Sequence, residues 1–197
     1  MTRQAIQATE RFVTKLHTGD HTGHDVSHLE RVRRLAEHLA EAEGMAVDPL
    51  VVTLAALLHD VEDAKLGRAK GLVRHHLETI ALSTSQTDHV LAVIAETSFS
   101  QGRLPTTLES AIIQDADRLD AVGAIGIART FQYAGSRGTP LYDPDDPSSA
   151  IAHFSDKLLL LADGMHTDRA KAIARDRHAF MTSFLERFEA EWVGEDM

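Results

Sequence analysis

Between Leu50 and Leu58 only Thr53 is polar. An element that is apolar on every side has to be buried on every side, so the rest of the chain must be built around this run. Asp48-Pro49 immediately before it supplies a capping carboxylate and a proline at the first helical position, and the run is therefore predicted to be a central helix. It ends in His59-Asp60-Val61-Glu62-Asp63, ahead of Gly67. Three carboxylates near a helix C-terminus oppose the negative end of its dipole, and buried carboxylates are costly unless paired or bound to metal. A cation is missing from this local picture. It is either a metal ion or a side chain, with Lys65, Arg68 or a more distant arginine as the protein's own candidates.

The chain has no cysteine, so any metal must be held by His, Asp or Glu, and a reducing compartment is the natural setting. Twelve histidines supply ample imidazole. The formal net charge of −10 argues against a nucleic-acid-binding or anionic-membrane surface, because those neutralise phosphates with Lys and Arg. The opening MTRQAIQATERF lacks the apolar core of a signal peptide, and no apolar run approaches the ~20 residues of a membrane helix. A cytoplasmic protein of one domain over residues 1–197 is expected. Its core would span about 24–133, followed by a candidate lid at 134–149 and packing helices over 150–192.

Helical periodicity predicts a helix over 2–17, broken by Thr18-Gly19-Asp20, and a second from about His24 to Glu43, stopped by Gly44. His28, Val32, Leu35 and Leu39 recur along the second, which puts His28 on or beside its buried face, with His24 one turn earlier. Helices over 68–82 and 86–97 follow, joined by Ser83-Thr84-Ser85, and no strand is expected. His75, His76 and His89 read as surface histidines, with recruitment of a second metal as the alternative. After the loop from Ser98 to Pro105, Thr106 or Thr107 caps a long helix reaching about Tyr133. On it, Ile113, Asp117, Asp120, Ala124, Ile127 and Phe131 share one stripe, so two carboxylates lie in line with apolar residues. Either acid can complete a site begun at His59-Asp60, or both can be satisfied by Arg118 and neighbouring basic residues. The Gly-, Pro- and Asp-rich segment from Ala134 to Ser149 is the candidate lid, with Arg137 and Tyr142 as candidate substrate contacts. Helices over 150–162 and 167–192 close the chain.

These residues form a set. His24-Asp25, His28 and Arg31-Val32 are followed by AALLHD from Ala55 to Asp60, by Thr107-Leu108-Glu109, and by the QDADRLDA segment running from Gln114 towards Phe131. Gly138 through Pro144 and His153 through Leu161 extend the pattern. The chain thereby resembles the HD-domain metal-dependent phosphohydrolase superfamily, and within it a bacterial single-domain subgroup similar to nucleotide pyrophosphohydrolases. The resemblance implies an all-α helical bundle built around the central buried helix. It makes His28, His59, Asp60 and Asp117 metal ligands, with Asp117 chosen because it precedes Arg-Leu. Two imidazoles and two carboxylates suit Mn²⁺, with Mg²⁺, Co²⁺, Fe²⁺ or Ni²⁺ as alternatives. His24 and Asp25 become substrate or orienting groups, and Lys65, Arg118 and Arg129 phosphate contacts. Asp63 becomes the general base, with Glu62 competing. The implied reaction is hydrolysis of a nucleoside triphosphate to monophosphate and pyrophosphate. The alternatives are a nucleoside monophosphate phosphatase, an alarmone or cyclic-nucleotide hydrolase, and a non-catalytic helical binding module stapled by its metal. The expected partner is the small nucleotide itself, with no nucleic acid or membrane, and a homodimer remains open.

Overall fold

The computed structural model describes residues 2–19, 25–63, 66–97 and 103–195, and among them there is helix but no strand. The chain divides into two compact units, Met1–Asp117 and Arg118–Met197.

In the first unit, α1 (Thr2–His17), α2 (Val26–Glu43) and α5 (Thr84–Thr97) all pack on α3 (Pro49–Leu58), while α4 (Leu72–Thr79) packs on α5. Helix α3 is the apolar run. Asp48 caps it by accepting from the N–H groups of Leu50 and Val51 at 2.9 and 3.3 Å, and every residue from Val51 to Leu58 is buried. Its large aliphatic side chains each contribute about 1.5–3 kcal/mol on leaving water. Thr53, the one polar residue of the run, donates its hydroxyl to Glu37 Oε1 of α2 at 3.2 Å. Helix α2 starts at Val26, two residues later than expected, because Asp25 is its cap and accepts from the His28 N–H at 2.8 Å. Its buried side is His28, Leu29, Val32, Ala36, Leu39 and Ala40.

Two elements are bounded differently from the sequence expectation. Helix α4 is shorter than 68–82 because Gly71, at φ +88°, turns the chain immediately before it. Helix α5 begins at Thr84 because Ser83 and Gln86 cap its first turn reciprocally: Gln86 N–H donates to Ser83 Oγ at 3.2 Å, and Gln86 Oε1 accepts from Ser83 N–H at 3.3 Å.

The single helix expected from Thr107 to Tyr133 is two helices, α6 (Leu108–Asp120) and α7 (Gly123–Arg137). Thr107 does cap the first, accepting from Ser110 N–H at 3.1 Å. Its end tightens into three-residue turns, with Ala121 N–H on Arg118 O and Val122 N–H on Leu119 O. Gly123 follows at φ +78°. A Cβ on Gly126 would stand 2.2 Å from the Ala121 carbonyl oxygen, so the two helices meet at a separation only glycine allows.

In the second unit, α7 packs on α8 (Asp168–Val193). Between them, residues 150–164 are not the α-helix expected but a π turn at Phe154–Leu158 and a 3₁₀ stretch at Leu159–Gly164. The Gly- and Pro-rich segment starts later than expected, after Gly138 ends α7, and it is pinned by Ala150 N–H to Pro140 O at 2.9 Å and Ile151 N–H to Leu141 O at 3.2 Å. Phe131, Phe154 and Phe184 form an aromatic centre with ring centroids 6.0–6.1 Å apart. No helix of the described residues is long and apolar enough to cross a membrane.

Candidate metal centre

Helix α3 delivers His59 at its C-terminus and Asp60 one residue beyond, and α2 brings His28 from its buried face. One ligand atom from each of the three lies within 4.8 Å of the others. Asp117, in the last turn of α6, joins them. His28 Nε2 is 3.2 Å from Asp60 Oδ2 and 3.6 Å from Asp117 Oδ1, and His59 Nε2 is 3.4 Å from Asp60 Oδ1 and 3.8 Å from Asp117 Oδ1. His28 and Asp60 are buried, while Asp117 is about a third exposed and leaves the cluster an open side.

The state of His59 decides what the cluster is for. Its Nδ1 lies 2.9 Å from the carbonyl oxygen of Ala56, and because a carbonyl only accepts, Nδ1 carries a proton. In the neutral ring Nε2 is then an acceptor. That atom is buried and makes no hydrogen bond, although two carboxylate oxygens face it. The spacings of 3.4 and 3.8 Å exceed the ~2.7–2.9 Å of a charge-assisted N–H···O bond. They are close to the ~3 Å between neighbouring ligands that each stand about 2.1 Å from one cation. An orphaned imidazole lone pair among carboxylate oxygens is unfavourable without a cation, and the donor set of two imidazoles and two carboxylates suits a divalent one. The residues present fit a metal.

Among the described residues, the side-chain cations expected here are engaged elsewhere. Arg68 directs its guanidinium to the carbonyls of Val61 and Leu16 and to His17 Nε2. Lys65 and His24 lie outside the described residues. Asp120, the alternative to Asp117, is buried and bound by Arg129 Nη1 at 2.6 Å. Both acids lie on α6, as the spacing placed them, but Asp120 is bound by Arg129 while Asp117 faces the imidazoles of His28 and His59. Arg118 donates to the Gly164 carbonyl and lies 2.9 Å from His166 Nε2.

Glu62 Oε1 accepts from the Val73 N–H at 2.9 Å at the start of α4. Asp63 donates its N–H to Asp60 O at 3.2 Å and is half-buried. Asp25 serves as the α2 cap described above. In the second unit, Tyr142 packs edge-on against Phe188 and Trp192 at 5.9 and 5.2 Å, and the Arg137 guanidinium lies 5.4 Å from the Tyr133 ring.

His76 is not the surface histidine expected. It is 7% exposed, stacks on Phe12 at 4.1 Å, and sits 2.8 Å from Thr9 Oγ1. Burial, and then the charge of His75, hold it below its ordinary pKa of 6.5. His89 Nε2 is 3.7 Å from Glu109 Oε2. The contact that sequence reading missed is the Ala56 carbonyl, although a histidine at a helix C-terminus has the carbonyl three residues back within its reach.

An all-α fold with His and Asp side chains converging at the end of a buried helix has the chemistry of a metal centre. The HD-domain family model matches residues 25–122. The chain is 40% identical to YpgQ of Bacillus subtilis over 94% of its own length and 92% of that protein's. It superposes on the crystal structure of YpgQ in complex with ADP with a TM-score of 0.81, at 35% identity, covering 94% of this chain and 97% of that one. A solved Bacillus thuringiensis HD-superfamily hydrolase gives a TM-score of 0.82 at 38% identity, covering 98% of each chain. A solved Lactobacillus plantarum protein gives 0.87 at 37% identity, covering 98% of this chain and 99% of its own. The chain belongs to the HD superfamily of hydrolases.

Proposed function

We propose that this hydrolase acts on nucleotides and splits nucleoside triphosphates between the α and β phosphorus, releasing monophosphate and pyrophosphate. The observation that carries the metal chemistry is the buried His59 Nε2, without a hydrogen bond, between Asp60 and Asp117. The nucleotide assignment draws support from YpgQ, which has been solved in complex with ADP. His28, His59, Asp60 and Asp117 hold the ion, and Mn²⁺ is the ion we assign. When bound, it supplies Lewis acidity that activates water and polarises a phosphoryl oxygen.

The chain's own residues do the rest. His59 is oriented by Ala56 O, which fixes the tautomer that presents Nε2. Asp63 accepts the proton of the attacking water. Glu62 is engaged at the start of α4, which supports Asp63 over Glu62 in that role. Lys65 neutralises phosphate charge, because the guanidinium groups of Arg118 and Arg129 are held by Gly164, His166 and Asp120. His24 and Asp25 are assigned the task of binding or orienting the substrate.

The test restores metal-stripped protein with Mn²⁺ and assays pyrophosphate and orthophosphate separately over a panel of nucleoside triphosphates. Asp60→Ala serves as control. Pyrophosphate that disappears in the control is the expected result. Orthophosphate alone would replace the reading with a phosphatase. No turnover on the panel, with alarmones and cyclic nucleotides also inert, would leave a metal-stapled binding module.

A further inference from the structure

In the segment that leaves the metal cluster, the backbone carbonyls of Val61 and Glu62 are held by basic side chains. Lys70 Nζ donates to the Glu62 carbonyl at 2.8 Å. Arg68 does more, since its single guanidinium joins three elements. Nη1 donates to the Val61 carbonyl at 3.3 Å and to His17 Nε2 at 2.8 Å, and Nη2 donates to the Leu16 carbonyl at 2.7 Å. Guanidinium has no acceptor, so His17 Nε2 is the acceptor of that bond and Nδ1 carries the ring proton. Leu16 lies in the last turn of α1, where carbonyls have no partner within the helix and the dipole favours a cation. His17 is 1% exposed and Val61 fully buried, so the fork is anchored in packed structure at both ends.

Val61 follows Asp60 directly and precedes Asp63 by two residues. Its carbonyl belongs to the Val61–Glu62 peptide, one residue from Asp60 on one side and from Asp63 on the other, so anchoring it holds the turn that carries both carboxylates. Arg68 is the cation that the local sequence offered to neutralise these acids, yet it holds the backbone beside them. A planar fork with donors at fixed angles can span a carbonyl on each side and an imidazole between them; an ammonium group cannot.

We propose that Arg68, seated on His17 and the C-terminus of α1, is a positioning residue for the site: it fixes the Val61 carbonyl and so the direction of Asp60 and Asp63. The inference rests on the reading of Asp60 as metal ligand and Asp63 as proton acceptor. It gives α1 a function beyond covering α3, because the HD turn is registered against its last turn.

The experiment uses full-length wild-type, Arg68→Met and Arg68→Lys proteins. It measures Mn²⁺ affinity by calorimetry, kcat and KM on the substrate found active, and thermal melting of the metal-free form. For Arg68→Met the expected result is a cooperative melt with Mn²⁺ affinity or kcat lowered by roughly tenfold or more and KM little changed. Arg68→Lys should fall between it and the wild type. If the methionine variant does not fold, the lysine variant decides by the same criteria. A folded variant with wild-type affinity and kcat overturns the inference, as does a loss that merely tracks the unfolded fraction. Wild-type protein that takes up no Mn²⁺ overturns the metal-centre reading and this inference with it; equal binding and turnover by wild type and variant overturn this inference alone.

Discussion

Asp117 and Asp120 are three residues apart on one helix, and their surroundings give them opposite work. Asp120 is 2% exposed, and its partner Arg129 has its guanidinium 2.6 Å away. Removing one member of such a pair strands the other charge. Asp120→Ala should therefore lower unfolding free energy by about 3 kcal/mol in urea denaturation, while the folded protein still binds Mn²⁺. Asp117 is a third exposed and faces the imidazoles of His28 and His59. Asp117→Ala should abolish Mn²⁺ binding and cost the metal-free protein little stability, since a carboxylate a third exposed is largely solvated. A variant pair showing the reverse pattern would exchange the two roles. The residues of the cluster were legible in the sequence because their chemistry is rare: a His on a buried stripe, and a His-Asp pair at the end of an all-apolar run. Choosing between the two aspartates was not legible from spacing, because helical periodicity carries both on one stripe and cannot see that Arg129, beyond the chain break that ends α6, comes back to bind Asp120.

That break belongs to the scale of elements. Helices α6 and α7 meet where Gly126 leaves room for the Ala121 carbonyl and where Gly123 sits at φ +78° with the Arg177 side chain 3.0 Å from the Cβ position. The carbonyls freed at the end of α6 are taken up by side chains: Arg177 donates to Leu119 O at 2.5 Å and Arg129 to Asp120 O at 3.4 Å. Gly126→Ala has no space without moving backbone, and should cost about 2 kcal/mol or more in chemical denaturation. A fully stable alanine variant would mean that the turn can relax and the glycine is not required there. Periodicity alone could not find this turn, since Ala121, Ala124 and Ile127 continue the helical pattern across it. The π and 3₁₀ turns over 154–164 were hidden for the same reason, because Phe154, Leu158 and Leu161 keep helical spacing and are all buried. The start of α3, by contrast, was readable from Asp48-Pro49, because capping chemistry is local.

For the whole molecule, stability and chemistry both depend on what is held neutral and what is held charged. His76 ties α4 to α1 through Thr9 and Phe12, and burial followed by the charge of His75 lowers its pKa from 6.5. The folded protein therefore keeps His76 neutral over a range in which the unfolded chain has already bound a proton. Stability from this group is complete above pH 6.5, falls as pH drops from there towards the lowered folded value, and changes no further below it. His153, lowered by burial and then by Lys157, adds a contribution of the same sign. Unfolding free energy measured from pH 7.5 down to 5 should decline, and His76→Gln should flatten that decline; an unchanged slope would remove His76 from the account. The family was visible in the sequence through the DADRLD segment and the HD pair, and 40% identity to YpgQ agrees with it. The division into Met1–Asp117 and Arg118–Met197 was not, since it falls inside a continuous helical segment. The account as a whole turns on whether the four-residue cluster holds one divalent cation. The most direct measurement is a calorimetric titration of metal-stripped wild-type, His59→Ala and Asp117→Ala proteins with Mn²⁺. One equivalent should bind to the wild type and none to either folded variant. No binding by the wild type, or binding by the His59→Ala variant equal to it, would mean that the cluster is not a metal centre.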